Sequence, residues 1–208
     1  MTDTVEELIF ESAEALRVPV LLLALAALVL VLYELGAFAT ELVRRRRRDF
    51  ARIERSVAQA SRALDEGNRA HASALLRPVA SSGAMEEAFA LVVSNARVAG
   101  GTDRVAKSLA DFDFRSLRRL ERTRLLVRAG PALGLMGTLI PLSPALGGLA
   151  RGDVTALSSN LRVAFSVTVL GILVGGLAFG VSLVRDRLYG QDLSDLEYVA
   201  SALVVEPS

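Results

Sequence analysis

The chain has no cysteine, no tryptophan and only one histidine among its 208 residues. The lack of cysteine excludes disulfides and zinc sites built on thiolates. The lone histidine, His71, cannot form a multi-histidine metal site, and we expect it on the surface. These absences nearly exclude cysteine- and histidine-based chemistry, so no metal and no cofactor is expected.

Apolar residues, in contrast, are abundant. Hydrophobic residues make up 52% of the chain and charged residues 23%. This excludes intrinsic disorder, because there is ample apolar surface to bury. The apolar residues form three runs, each of 20 to 22 residues: Val18–Ala39, Ala129–Gly148 and Val163–Val184. At 1.5 Å per residue, 20 residues reach about 30 Å, the thickness of a bilayer core. The sequence therefore predicts three transmembrane helices.

The first run could instead be the apolar part of a signal peptide. The segment before it carries five acidic residues and only one basic residue, Arg17. A signal peptide has a basic segment there and a shorter apolar stretch. We interpret the run as a retained membrane anchor.

Basic residues are distributed unevenly around the three runs. Nineteen Lys or Arg residues lie between the first and second runs and two follow the third, whereas only Arg17, Arg151 and Arg162 lie elsewhere. The positive-inside rule then places the N-terminus outside and the C-terminus inside. The predicted organisation is an outer N-terminus (1–17), a first span (18–39), a helical cytoplasmic domain (40–128), a second span (129–148), an outer connection (149–162), a third span (163–184) and a cytoplasmic tail (185–208).

Five consecutive arginines follow the first span. The run borders the membrane and has no aromatic residues interleaved, so we interpret it as a topology anchor that contacts anionic lipid rather than as a nucleic-acid site. Its members are Arg44, Arg45, Arg46, Arg47 and Arg48.

The segment between the first two spans has helical periodicity throughout. Phe50, Ile53, Val57, Ala60 and Leu64 follow the spacing of one helix face. Gly67 and Gly100 mark the ends of helices, and Thr102 or Asp103 could cap the last of them. We expect this last helix to continue into the second span, and the first helix to continue from the first span. The predicted fold class is an all-α integral membrane protein whose long helices extend into a helical cytoplasmic domain.

The second and third spans carry stripes of small residues at helical spacing. Such stripes allow helices to approach closely, and hydroxyl groups bond across helices. Two interpretations remain open at this point: tight packing within the chain or a homo-oligomer, or a narrow polar lining around a partner or an ion path. The stripe residues are Gly130, Gly134, Gly137, Pro141, Pro144 and Gly148 in the second span, beside Thr138, and Thr168, Gly171, Gly175, Ala178 and Ser182 in the third.

Two segments resemble the MotA/TolQ/ExbB proton-channel family. Residues 129–140, AGPALGLMGTLI, are similar to its "AP-x-LGLLGTV" signature. Residues 160–171, NLRVAFSVTVLG, are similar to its "EAL-x-x-TA-x-G" segment. Residues 152–157 resemble the family's outer connection, and the order of parts agrees. The close match covers about residues 115–186.

The resemblance implies a stator-type subunit of a proton- or sodium-driven motor in a prokaryotic inner membrane. Five copies would surround the transmembrane helices of two copies of a single-pass partner that resembles ExbD, TolR or MotB and carries an intramembrane Asp. Thr138 and Thr168 would line the ion pathway. Gly134, Gly137, Pro141, Gly171 and Gly175 would pack around the pore or the partner.

The chain departs from the family pattern at two places. Val163 stands where the ExbB/TolQ branch has a glutamate, and Pro141 and Pro144 replace its usual continuation and should bend the outer half of the second span. The second and third spans contain no carboxylate, so the ion site needs a partner's acid. Glu34 in the first span is the rival: it is either an interfacial acid or a group that handles ions.

Two other classes of function are possible. A non-conducting scaffold of an envelope complex would keep the small-residue stripes but would need no carboxylate on its partner. A membrane enzyme would need several ionisable groups at one membrane depth, and none is visible, so we expect no enzymatic activity.

Overall fold

The computed structural model describes residues 2–45 and 49–204, and its elements there are helices. This confirms the all-α prediction. The α-helices are α1 (Thr2–Ala15), α2 (Arg17–Arg45), α3 (Phe50–Asp65), α4 (Arg69–Leu76), α5 (Gly83–Asn95), α6 (Gly101–Ala150) and α7 (Val154–Leu203), with a short 3₁₀ turn at Arg77–Val79.

Three helical stretches are long and apolar enough to cross a membrane: Thr4–Val43, Gly101–Ala150 and Val154–Leu203. Helices α6 and α7 each have 50 residues, about 75 Å of helix and more than twice the thickness of a bilayer core. The expected continuation of the last cytoplasmic helix into the second span is confirmed. Helix α6 begins at Gly101, so Thr102 and Asp103 lie in its first turn rather than before it.

The expected continuation of the first span into α3 is wrong. Helix α2 ends at Arg45, and Asp49 has an extended backbone with φ −136° and ψ 118°. The Asp49 side chain accepts a hydrogen bond from the backbone N–H of Ala51, so it caps a new helix. The local capping preference of Asp overrides the continuous helical pattern on which the expectation depended.

The chain divides into two compact units. The first comprises Met1–Phe38 and Glu121–Leu183, and the second comprises Ala39–Leu120 and Val184–Ser208. In the first unit, α2, α6 and α7 pack around one apolar core. This core contains Val20, Ala27, Val31, Leu126, Leu133, Val174 and Ala178.

Helices α6 and α7 form a hairpin within the first unit, joined by only Arg151, Gly152 and Asp153. Gly152 has φ +74°, the left-handed conformation that glycine adopts without steric cost. The Asp153 carboxylate accepts from the backbone N–H of Ala156 at 2.9 Å and caps α7. The rest of the predicted outer connection (149–162) is helical, because this cap starts α7 immediately after the turn.

The second unit has a larger core. Helices α3, α4 and α5 bury it together with the first part of α6 and the last part of α7. The predicted α3 face is buried except at Phe50, which is half exposed and whose ring lies 5.4 Å from that of Tyr198. His71 is exposed, as predicted. Fully buried large side chains in this core include Ile53, Leu76, Met85, Phe89, Leu196 and Leu203.

Candidate functional site

The small-residue stripes of α6 and α7 face each other inside the first unit. A methyl group added at Gly130 would lie 2.7 Å from the carbonyl oxygen of Gly171, and one added at Gly175 would lie 2.8 Å from the Cδ of Pro131. At Gly137 the added methyl group would overlap the Cγ1 of Val167. Real Cβ atoms do not approach other atoms so closely, so only glycine allows this separation of the two backbones.

These contacts bear on the two interpretations of the stripes. Gly134, Gly137, Gly171 and Gly175 are all buried, and each lies against the opposite helix of the same chain. Pro141, on the same side of α6, is buried as well and lies inside the continuous helix. Tight packing within the chain is therefore what these glycines do in the structure.

The two threonines lie at the edge of this glycine contact. Thr168 is half-buried, and its hydroxyl donates to the carbonyl oxygen of Ala164 at 3.1 Å and lies 3.5 Å from that of Gly134. Thr138 is half-buried one turn beyond Gly134, and its hydroxyl donates to the carbonyl oxygen of Leu135 at 2.7 Å. Because each hydroxyl proton is directed to a carbonyl, the lone pairs of each oxygen remain able to accept a bond from a proton carrier or a cation.

Neither α6 nor α7 supplies an acid near these hydroxyls, because residues 129–148 and 163–184 contain no ionisable side chain. Threonine hydroxyls can relay hydrogen bonds but cannot hold a charge in the physiological pH range. A fixed negative charge that balances a cation beside these hydroxyls must therefore come from another part of the chain or from another protein. Val163 is half-buried and its side chain has no polar atom.

The inward face of α2 changes character along its length. In the first unit its buried residues are apolar and follow helical spacing: Val20, Ala24, Ala27 and Val31. Glu34 continues this stripe three residues later and is half-buried. Glu41 and Arg45, in the second unit, follow Glu34 by seven and eleven residues and so continue the same helical spacing. This periodicity in the sequence could have identified both as inward-facing side chains.

Arg45 is buried in the second unit rather than directed away from the protein. Its guanidinium makes two hydrogen bonds with the Asp192 carboxylate, of 2.8 and 2.6 Å, and a third with the carbonyl oxygen of Leu188 at 3.1 Å. This side chain is therefore engaged within the chain and does not act as the lipid contact that its place in the arginine run suggested. The Arg44 side chain and Arg46, Arg47 and Arg48 lie outside the described residues, and the role of the run in topology stays a prediction.

Three more side chains complete this polar cluster. The Glu41 carboxylate lies between the guanidinium groups of Arg45 and of a second arginine, Arg185. Its oxygens are 3.7 Å from an Arg45 nitrogen and 3.2 Å from an Arg185 nitrogen. The Ser81 hydroxyl, between α4 and α5, donates to Asp192 at 2.9 Å. The sequence alone does not predict this cluster, because Arg45, Ser81 and Asp192 are separated by long segments and follow no known motif.

Burial dominates the electrostatics of the cluster. Desolvation raises the pKa of Asp192, and the Arg45 guanidinium and the Ser81 hydroxyl oppose that change. Desolvation raises the pKa of Tyr189 as well, and the neighbouring Glu41 carboxylate raises it further. The Arg45 guanidinium lies 5.7 Å from the centre of the Tyr189 ring, within the range of a cation–π contact.

Three helical stretches able to span a membrane, two of them joined by a glycine-packed hairpin, define a helical membrane protein. The sequence profile of the MotA/TolQ/ExbB proton channel family matches residues 71–188, more than half of the chain. The chain belongs to this family. No curated protein matches it. The matched range includes Thr138, Thr168 and Arg185 and leaves out Glu34, Glu41, Arg45 and Asp192.

Proposed function

We propose that this chain is a stator-type subunit of an ion-driven membrane motor. Five copies surround the transmembrane helices of two copies of a single-pass partner, and the flow of protons or sodium ions drives their relative rotation. Membership of a proton channel family supports the general class. The observation that carries the proposal is the pair of half-buried hydroxyls, Thr138 and Thr168, at one glycine contact between two apolar segments, 129–148 and 163–184, that contain no ionisable side chain.

The lack of a carboxylate in these two apolar segments makes the partner chemically necessary. An ion in hydrocarbon needs a fixed opposite charge, and an Asp on the partner's helix supplies it when that helix lies against the two threonines. In this arrangement the chain lies in the inner membrane of a prokaryote with its N-terminus outside. The excess of Lys and Arg between the first and second spans supports that orientation.

The test is ion flux in vesicles that contain this chain together with the single-pass membrane protein encoded beside it. We expect Thr138→Val and Thr168→Val each to lower flux about tenfold, since each variant removes a hydrogen-bonding group of about 1–2 kcal/mol from the pathway and keeps the side-chain volume.

Ser166→Ala is the matched control. Ser166 is an exposed residue of the same helix, and its hydroxyl donates to the carbonyl oxygen of Arg162 at 2.8 Å. Flux in this variant should equal that of the parent. Equal flux in the parent and in both threonine variants would contradict the assigned pathway. Assembly with a partner that lacks an intramembrane acid would favour a non-conducting scaffold.

A further inference from the structure

The buried polar cluster of the second unit joins two helices that are far apart in sequence. Glu41 and Arg45 lie in the last two turns of α2, and Arg185 and Asp192 lie on α7. The pairs Glu41–Arg185 and Arg45–Leu188 are separated by 144 and 143 residues. Because this separation is nearly constant, the two helices run in the same direction at a defined axial offset in this unit.

The geometry of the cluster is specific. Two arginines face the carboxylates of Glu41 and Asp192, with a third carboxylate, Asp195, buried close to Asp192. The Arg45 and Asp192 side chains are only 5% and 3% exposed. Both oxygens of Asp192 bond the planar guanidinium fork of Arg45. A fork-to-carboxylate contact of this kind is satisfied in only one relative position of the two groups.

The apolar residues that flank the cluster do not have this property. Along α7 they are Val174 and Ala178 before the cluster and Leu196 and Val199 after it, whereas the buried residues Ser182 and Asp195 extend the polar cluster itself. Apolar side chains that recur every three or four residues pack almost equally well when one helix slides past the other. Polar groups at single positions of such a stripe specify its register, at a cost in stability.

We propose that Glu41, Arg45, Arg185 and Asp192 form a registration clasp that fixes the axial position of α2 against α7, with Ser81 holding the loop before α5 on the same carboxylate. This role differs from ion conduction and needs none of the threonines.

The chain has no cysteine, so spin labels can be attached at two introduced cysteines and the distance between them measured by pulsed electron–electron double resonance. Suitable sites in the second unit are Val43→Cys on α2, where the native side chain is 67% exposed, and Gly190→Cys on α7, where an added Cβ meets no atom within 4 Å. The doubly labelled parent, diluted with an excess of unlabelled chain so that distances between copies do not contribute, should give a single narrow distance distribution.

The decisive variant is the double substitution Arg45→Met/Asp192→Leu, which removes both charges at once and so leaves no buried ion unpaired. Replacing a buried ion pair by apolar side chains keeps or raises stability, so this variant should fold. We expect its distance distribution to broaden or to shift by about 5 Å, one helical turn. Asn is close in size to Asp but uncharged, so Asp192→Asn should also broaden the distance distribution under conditions in which the variant folds.

The matched control is Lys107→Met/Asp111→Leu, which removes an exposed ion pair within α6 of the same unit and should leave the distribution unchanged. An unaltered narrow distribution in the folded Arg45→Met/Asp192→Leu variant would overturn the clasp. The measurement needs neither the partner nor ion flux, so it succeeds or fails separately from the proposed motor function.

Discussion

Gly171 and Gly130 bring the backbones of α7 and α6 into contact: a methyl group added at Gly171 would lie 2.5 Å from the carbonyl oxygen of Gly130. The same added group would lie 2.8 Å from the Cα of Gly134. The atoms in conflict are backbone atoms, which cannot move aside as the end of a flexible side chain can. The helices would have to separate.

Gly171→Ala should therefore destabilise the protein, by about 1–3 kcal/mol, the usual cost of overpacking a close contact. The matched control is Gly176→Ala on the same helix, where an added Cβ meets no atom within 4 Å. There alanine should stabilise the helix by about 0.5–1 kcal/mol, because glycine loses more backbone entropy on folding. Thermal unfolding in detergent compares the two, and equal midpoints would contradict the close approach of α6 and α7.

Asp192→Asn should lower the free energy of unfolding by about 3 kcal/mol, because it leaves the buried Arg45 guanidinium without its carboxylate. The exposed pair Lys107–Asp111 offers the comparison, since its side chains are 73% and 52% exposed. Asp111→Asn should change the free energy of unfolding by less than about 0.5 kcal/mol. Denaturant titration of the purified protein measures both, and similar losses in the two variants would show that Arg45 is not buried as described.

Tyr189→Phe should change how the stability of the folded protein depends on pH in the alkaline range. The Tyr189 hydroxyl has no partner of hydrogen-bond geometry within residues 2–45 and 49–204, and burial raises its pKa above the ordinary value of 10.0. The unfolded chain then loses this proton at a lower pH than the folded protein. The contribution of Tyr189 is fully present below pH 10 and is lost as pH rises from about 10 through the folded pKa.

The Phe variant lacks this loss, so its melting temperature should decline less than that of the parent between about pH 9.5 and 11. At pH 7 the two proteins should differ by less than about 1 kcal/mol, because the substitution removes a buried hydroxyl that has no partner. Parallel declines of both proteins at alkaline pH would contradict the assignment.

Glu34→Gln should leave ion flux within about twofold of the parent in the reconstituted system, because Glu34 belongs to the inward face of α2 and not to the helices that carry the two threonines. Flux through this variant is compared with that through Thr168→Val in the same vesicles. A loss as large as that of Thr168→Val would assign Glu34 to the ion pathway and contradict its interpretation as an interfacial acid.

The order of apolar and polar residues along the chain determined most of the helices of this protein and which side chains share a helix face. Three apolar runs of 20 to 22 residues, interrupted among ionisable residues only by Glu34 in the first, can be satisfied in a membrane only as helices. Every backbone polar group must then bond within its own segment. The buried face of α3 and the small-residue stripes of α6 and α7 could also be predicted from the sequence, because helical spacing alone decides which side chains share a face.

Only the tertiary structure decided what these faces meet. The spacing of Gly130, Gly134 and Gly171 left packing within the chain, packing between copies and a pore lining open, and only the structure shows that α6 and α7 of one chain make backbone contact at these glycines. Arg45 looked like one member of a basic run, yet it is buried against Asp192, 147 residues away. Periodicity is a local property, whereas the partner of a buried charge is set by which helices come together, and that is decided by the packing of the whole chain.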